Sequence, residues 1–304
     1  MSGFSPVDPL LLEGYRQCGV LTKQYGTTYF WGAALLPRSR RRHVHAVYAL
    51  CRLADDIVDD PGNVGRSQDE VAASLHAFAD EFRQALRSGT SLDPVLAAVV
   101  DTVRITGIDP ECFDRFFGAM AMDLTTTSYE SWEDLCGYME GSAAVIGEMM
   151  LPVLEPTTPS ARKPARALGF AFQLTNFLRD IGEDLELGRV YVPQADLRRF
   201  GADPAARSVT PEWRAFMAFQ IERNRRLYEL ADTGIAMLPG RSAKCVGAAR
   251  TLYSQILERI EGAGYDVFTS RVGVPPWRKA TTAARILITG PATKPSKRMI
   301  SHVA

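Results

Sequence analysis

The feature that most constrains the fold of this chain is a polar stripe inside an otherwise apolar helical segment. Asn176, Asp180 and Asp184 are spaced by four residues, so an α-helix places them on one face. The other side of this segment consists of Leu174, Phe177, Leu178 and Ile181. Burying several carboxylates costs several kcal/mol per ion unless a partner neutralises them. Because an oxygen-rich cluster without His or Cys suits a hard cation, we expect this helix to border a cavity that holds one.

A second acidic stripe lies earlier in the chain. Asp55 and Asp59 are four residues apart, about 6 Å along a helix axis. Tyr48 and Arg52 continue the same face toward the N-terminus. Like charges at this spacing destabilise an isolated helix by roughly a few tenths of a kcal/mol, which a bound cation would offset. A solvated acidic face near a helix end is the alternative for this segment alone, but the two stripes together predict opposite walls of one cavity.

Such a cavity suits the ionisation of an allylic diphosphate. Mg²⁺ characteristically bridges one or two carboxylates to substrate phosphates, and Arg52 and Arg179 would add positive charge at the same oxygens. The leaving group departs only when metal ions and donors offset the developing charge, and an apolar interior shelters the carbocation from water. Candidate aromatic lining residues are Tyr29, Phe30, Trp31, Phe170, Phe172 and Phe177. For each of them an ordinary core position is the alternative.

Helical periodicity dominates the rest of the sequence, and strand patterns are nearly absent. A capping residue precedes a proline at 93–94, 109–110 and 210–211, and Ser131 with Asp134 matches a capping box. Helical runs are predicted over 38–58, 132–154, 165–187, 211–237, 243–262 and 277–288.

These runs predict an all-α fold with one large helical domain around a central cavity. We place this domain at residues 1–289, because no Pro/Ser-rich linker interrupts it, and expect a disordered basic tail over 290–304. Lys and Arg number 35 and Asp and Glu number 35, which disfavours a globally basic nucleic-acid-binding protein.

Location is predicted from what the sequence lacks. No run approaches the roughly 18 apolar residues of a membrane-spanning helix, and no secretory signal precedes Tyr15. The cysteines show no metal-binding spacing and lie at Cys18, Cys51, Cys112, Cys136 and Cys245. Scattered cysteines of odd number are typical of reduced thiols, so we expect a cytoplasmic protein.

The two acidic segments resemble the signature motifs of the squalene/phytoene synthase family, most closely those of bacterial phytoene synthases. The motifs read YALCRLADDIVDD from Tyr48 and QLTNFLRDIGEDLELGRVYVP from Gln173. YMEGSAAVIG from Tyr138 resembles the tyrosine-led helix between them, and GTTY from Gly26, followed by LLP, resembles the substrate flap. The resemblance extends to Arg271 and implies the all-α isoprenoid synthase fold.

The resemblance also implies roles for individual residues. The ligands of Mg²⁺, with Mn²⁺ as the alternative ion, would be Asp55, Asp59, Asn176, Asp180 and Asp184, and the four aspartates are the implied catalytic residues. Substrate contacts are implied for Tyr48, Arg52, Tyr138, Gln173, Asn176, Arg179, Tyr253 and Arg271. A core position is the alternative for Tyr253.

Three positions depart from the family pattern. Gly26 and Thr28 stand where the flap usually carries serine, which puts hydroxyl contacts there in doubt. Glu140 stands where a second tyrosine is common, and its carboxylate would either tune diphosphate handling or face solvent.

The implied activity is the head-to-head condensation of two geranylgeranyl diphosphates to phytoene, the first step of carotenoid biosynthesis. It proceeds through a cyclopropylcarbinyl diphosphate and ends by proton loss, so no NADPH is expected. Within enzymes, the alternative is a squalene or dehydrosqualene synthase that acts on farnesyl diphosphate. The alternative from another class is a catalytically silent helical assembly subunit, against which the intact aspartates argue.

The expected partner is a prenyl diphosphate substrate, with no nucleic acid. The basic run from Arg38 to His43 is either a solvated face or a contact with an anionic membrane surface. Because the product would be an insoluble hydrocarbon, peripheral membrane contact and downstream carotenoid enzymes are further candidate partners.

Overall fold

The computed structural model describes residues 8–59, 63, 65–271, 273, 281, 285–286 and 290. Over these residues the chain is helical, and its only extended pairing is an isolated parallel bridge between Ser128 and Val190. The α-helices are α1 (Pro9–Tyr25), α2 (Thr27–Ala33), α3 (Arg38–Asp59), α4 (Gln68–Ser88), α5 (Pro94–Thr106), α6 (Glu111–Met122), α7 (Trp132–Met139), α8 (Val145–Leu154), α9 (Arg162–Glu186), α10 (Gln194–Phe200), α11 (Pro211–Ile235) and α12 (Gly240–Gly262). The all-α prediction is confirmed.

Local capping explains several helix starts. Asp93 and Thr210 accept hydrogen bonds from Leu96 and Trp213, as the sequence predicts for α5 and α11. Ser131 forms the predicted capping box with Asp134 at the start of α7. The run predicted over 277–288 falls almost entirely outside the described residues, as does the tail over 290–304.

Two boundaries differ from the prediction. Helix α6 begins at Glu111, because Pro110 takes the cap position; the Asp109 carboxylate accepts from the Glu111 N–H at 3.0 Å. The run over 132–154 is not one uniform helix, because a π-helix at Glu140–Ala144 separates α7 from α8. In that turn Gly141 packs so closely that a Cβ would lie 2.6 Å from the Arg115 carbonyl oxygen.

Helix α9 lies at the centre of the molecule and packs against α8, α11, α12 and the π-helix. Its buried apolar side includes Ala167, Ala171, Leu174 and Leu178. The large side chains of Trp213, Phe216 and Tyr228 on α11 are almost fully buried. Because α9 is enclosed in this way, its polar stripe must face into the molecule. Within the described residues every helix is too short or too polar to cross a bilayer.

Candidate active site

The C-terminal half of α3 forms the first wall of a cleft. Arg52 forms ion pairs with Asp56 and, at 3.4 Å, with Asp55. Desolvation within the cleft raises the pKa of Asp55 to about 7, and the negative charge of Asp59 adds to this effect. The carboxylates on this wall therefore repel one another more than the nearby guanidinium compensates.

The C-terminal half of α9 forms the second wall. Both oxygens of Asp180 accept hydrogen bonds from Arg179, at 2.6 and 2.5 Å, and from Arg271, at 3.0 Å each. Desolvation raises the pKa of Asp184 to about 7, and the neighbouring charge of Asp180 raises it further. Asn176 lies one turn before Asp180, and its Oδ1 atom is buried without a hydrogen-bond partner.

The two walls meet through a residue just beyond α9. Arg189 donates to Asp59 Oδ1 at 2.8 Å, so the segment that follows the second wall contacts the end of the first. The Arg189 N–H donates to the Asp184 carbonyl oxygen at 2.8 Å, so the same residue contacts both stripes. Arg189 therefore joins the ends of the two predicted stripes. We call the space between Asp55, Asp59, Asp180 and Asp184 the acidic cleft.

Three residues at the cleft were not predicted as site residues. Asp123, at the end of α6, accepts hydrogen bonds from Tyr138 at 2.6 Å and Tyr191 at 3.2 Å. Desolvation raises the pKa of Asp123 to about 6, although the Tyr138 hydrogen bond and Arg189 oppose this. A signal for Arg189 and Tyr191 was present in the GRVYVP continuation of the second motif, but Asp123 lies in neither motif.

An apolar cavity of about 170 Å³ extends along α9 from Gln173, about one turn before Asn176. On α9 the same face that carries Asn176 and Asp180 continues toward the N-terminus as Ala165, Leu168, Gly169, Phe172 and Gln173, all of which line the cavity. Near the start of α9 the lining includes Leu154, Ala161, Ile235 and Leu238. The predicted central cavity is therefore present, and its lining is almost entirely apolar.

Aromatic side chains gather where the cavity meets the cleft. Tyr29 and Phe172 line the cavity, as predicted. Tyr253 stacks on Phe172 with ring centroids 4.2 Å apart, and Tyr48 lies 5.6 Å from Tyr29. The remaining predicted aromatics are placed differently: Phe177 stacks on Tyr191, and Phe30, Trp31 and Phe170 are not among the lining residues.

Comparisons with known proteins agree with this geometry. The family model described as squalene/phytoene synthase matches residues 22–278. The chain belongs to the squalene/phytoene synthase family. A 15-cis-phytoene synthase from Synechococcus elongatus is 36% identical over 287 residues, covering 88% of this chain and 91% of the relative. The resemblance seen in the two motifs is therefore confirmed over a wider span than Gly26 to Arg271.

Solved structures share the isoprenoid synthase fold. A dehydrosqualene synthase in complex with a ligand superposes with a TM-score of 0.83 at 25% identity, covering 92% of this chain and 98% of the other. The squalene synthase HpnC from Alicyclobacillus acidocaldarius superposes with a TM-score of 0.77 at 30% identity, covering 86% and 97%. The predicted fold type is thus confirmed.

The departure from the squalene/phytoene synthase pattern at Glu140 has a structural explanation that neither expectation covered. Glu140 is paired with Arg115 and, at 3.0 Å, with Arg166. The same arginines also hold Glu148, which Arg162 contacts at 2.8 Å. Glu140 therefore belongs to this set of five side chains, which we call the ion cluster.

The departure at Gly26 is also explained by packing. A Cβ at this position would lie 2.5 Å from the Tyr48 ring. Gly26 therefore lets the Tyr48 side chain pack directly against the flap backbone, and a serine in this arrangement would displace the ring.

Most charged side chains of the basic run from Arg38 to His43 contact other residues of the protein. Arg41 donates to the carbonyl oxygens of Ala33, Ala34 and Leu36, which end α2. Its neighbours are also engaged: Arg40 pairs with Glu155, Arg42 lies over the Tyr15 ring, and His43 hydrogen-bonds Thr102 at 2.9 Å. The run is therefore a solvated face only in part, because Arg38 and Ser39 are exposed whereas the four residues that follow have intramolecular partners.

Proposed function

We propose that this protein condenses two molecules of geranylgeranyl diphosphate head to head to form phytoene, the first step of carotenoid biosynthesis. The first allylic cation would be attacked by the C2=C3 double bond of the second molecule, and proton loss would give a cyclopropylcarbinyl diphosphate. A second ionisation, rearrangement and proton loss would leave the conjugated triene. Support comes from the 15-cis-phytoene synthase relative, which aligns along nearly its whole length.

One observation carries the proposal: a single face of α9 is acidic at one end and lines an apolar cavity at the other. The diphosphate would lie at Asp180 and Asp184, while the prenyl chain would extend past Gln173 toward Leu168 and Ala165. From Asp180 to Ala165 this face extends for about 22 Å at 1.5 Å per residue. One ligand that is anionic at its head and apolar along its length fits this arrangement.

We propose that Mg²⁺, with Mn²⁺ as the alternative, is held by Asp55, Asp59, Asn176, Asp180 and Asp184. The residues present fit such an ion, because the Asn176 Oδ1 atom is buried without a partner and the cleft carboxylates repel one another. Within the described residues, no three His, Cys, Asp or Glu side chains converge on one point. An ion that shares one or two carboxylates with diphosphate oxygens fits this spacing. When bound, it would stabilise the charge on the departing diphosphate.

The remaining groups of the cleft would position the substrate and exclude water. Arg179 and Arg271 converge on Asp180, so two guanidinium groups border the place where diphosphate oxygens would bind. Tyr48, Gln173 and Tyr253 lie where the cavity meets the cleft, and would close the apolar chain off from solvent.

The proposal is tested by giving the purified enzyme geranylgeranyl or farnesyl diphosphate with Mg²⁺, with and without NADPH, and identifying products by mass spectrometry. We expect a C40 hydrocarbon with triene absorbance from geranylgeranyl diphosphate alone. A C30 product formed at much higher kcat/KM would favour the squalene or dehydrosqualene alternative, and a strict NADPH requirement would overturn termination by proton loss. Absence of any product would favour the silent subunit.

We also propose peripheral membrane contact, through which an insoluble product could reach downstream carotenoid enzymes. The contact would involve α1 and α2 rather than the basic run, since exposed apolar side chains lie at Leu12, Val20, Tyr25 and Trp31. Co-sedimentation with vesicles should fall in Leu12→Ser/Val20→Ser, whereas unchanged sedimentation would contradict the contact.

A further inference from the structure

Asp123 joins three parts of the chain beside the acidic cleft. Its Oδ2 accepts from the Tyr138 hydroxyl at 2.6 Å and its Oδ1 from the Tyr191 hydroxyl at 3.2 Å. Its carbonyl oxygen accepts from Arg189 at 3.5 Å, while the other end of that guanidinium holds Asp59. The end of α6, the tyrosine of α7 and the segment after α9 are therefore linked through one residue.

The rings that carry these hydroxyls are themselves packed. Tyr138 lies between Tyr129 and Tyr191, with centroids 5.3 and 5.8 Å away, and Tyr191 stacks on Phe177 at 4.1 Å. The backbone is fixed in the same place, since the Val190 N–H donates to the Thr127 carbonyl at 2.8 Å. With the rings held by stacking, the hydrogen bonds to Asp123 decide where the two hydroxyl protons point.

We infer that Asp123 is a positioning residue that fixes the Tyr138 hydroxyl beside the acidic cleft. Because Tyr138 donates its proton to Asp123, its oxygen can act toward any other group only as an acceptor. One guanidinium, that of Arg189, contacts both the Asp123 carbonyl oxygen and Asp59 Oδ1, so Asp123 and the hydroxyl bound to it lie beside the first wall. Both oxygens of Asp123 receive tyrosine hydroxyls, which distinguishes it from the cleft carboxylates that we propose as metal ligands.

Of the two tests that follow, only the rate assay depends on the proposed function. The Asp123→Asn variant keeps the size of the side chain but presents an amide donor to one tyrosine. We expect kcat to fall at least tenfold, with KM for the diphosphate and the Mg²⁺ concentration for half-maximal rate changed less than threefold. Tyr138→Phe should give a similar loss, and the double variant should be no slower than the slower single variant. Multiplicative losses, an unchanged kcat, or a tenfold higher Mg²⁺ requirement would overturn the positioning role.

A second measurement needs no substrate. With 3-fluorotyrosine placed at residue 138, Asp123→Asn should shift its ¹⁹F resonance, because the hydroxyl loses its carboxylate acceptor. The matched control is Asp196→Asn, a carboxylate that accepts from Gln220 at 2.9 Å and Arg223 at 2.6 Å and lies outside the cleft. It should leave both the resonance and kcat unchanged. An unmoved resonance in Asp123→Asn would overturn the inference, whereas failure of wild-type enzyme to form phytoene would overturn only the proposed function.

Discussion

The acidic cleft and the ion cluster both combine carboxylates with arginines, but the pKa values of their carboxylates are shifted in opposite directions. In the cleft, desolvation and neighbouring carboxylates raise the pKa values of Asp55 and Asp184 to about 7. In the ion cluster, burial alone would raise the pKa of Glu148, but its hydrogen bonds to arginine outweigh burial and lower the pKa to about 2. The cluster has three arginines for two glutamates, so both of its carboxylates are neutralised within the protein. The pKa values of Asp55 and Asp184 stay raised although four arginines border the cleft, which is why we propose that a cation binds there.

The largest expected effect is on turnover in the cleft. Asp55→Asn and Asp184→Asn should each lower kcat/KM by a hundredfold or more, about 3 kcal/mol of transition-state stabilisation, because each removes a charge that would hold the metal. The melting temperature should stay the same or rise, since a carboxylate whose folded-state pKa is raised costs stability when ionised. Steady-state kinetics and thermal unfolding measure both quantities.

The control for these variants is Asp232→Asn, which removes an α11 carboxylate paired with Arg250 of α12 and should leave turnover unchanged. Near-wild-type rates in Asp184→Asn would show that Asp184 is only a charged residue on the helix face. The α9 stripe would then have no demonstrated role in turnover.

The ion cluster should respond in the opposite way. Glu148→Gln should lower the free energy of unfolding by roughly 3 kcal/mol, because three guanidinium groups lose their buried partner. The rate of the folded enzyme should change little. Equilibrium denaturation at 25 °C measures the loss, and Glu130→Gln, from an exposed pair with Arg198, should change the free energy by less than about 1 kcal/mol.

The pH dependence of Glu148 has a definite sign. Its folded-state pKa lies near 2, below the ordinary value of 4.5, so its contribution is complete above pH 4.5 and is lost as the pH falls toward 2. The stability difference between wild type and Glu148→Gln should therefore shrink between pH 5 and pH 3. A constant difference over this window would show that the cluster does not act through the Glu148 charge.

The cleft was predictable from the sequence, and most of the cluster was not, for a physical reason. The spacing of Asp55 with Asp59 and of Asp180 with Asp184 is a local property of each helix. It can therefore be recognised from the sequence of that helix alone. Glu140, by contrast, meets Arg115 only because α6 packs against the π-helix, and no local pattern predicts that contact.

The same distinction explains the other misses. Asp123 contacts Tyr138 and Tyr191 only through tertiary packing, so neither motif indicates its role. Arg41 lies within a basic run of the sequence, and that pattern does not indicate that its guanidinium caps the end of α2. Helix α4 was not predicted, although Ser67 forms a capping box at its start and offered a local signal.

The smallest expected effect separates the two regions by their response to a cation. At a Mg²⁺ concentration ten times the dissociation constant, binding to the folded state should add about 1.4 kcal/mol to the free energy of unfolding. Asp55→Asn should lose most of this gain, because it removes one of the proposed ligands. Glu148→Gln should keep all of it, since the ion cluster already contains its own cations. Denaturation of the wild type and both variants, with and without Mg²⁺, measures the six values. An equal gain in both variants would mean that the added stability does not come from the acidic cleft.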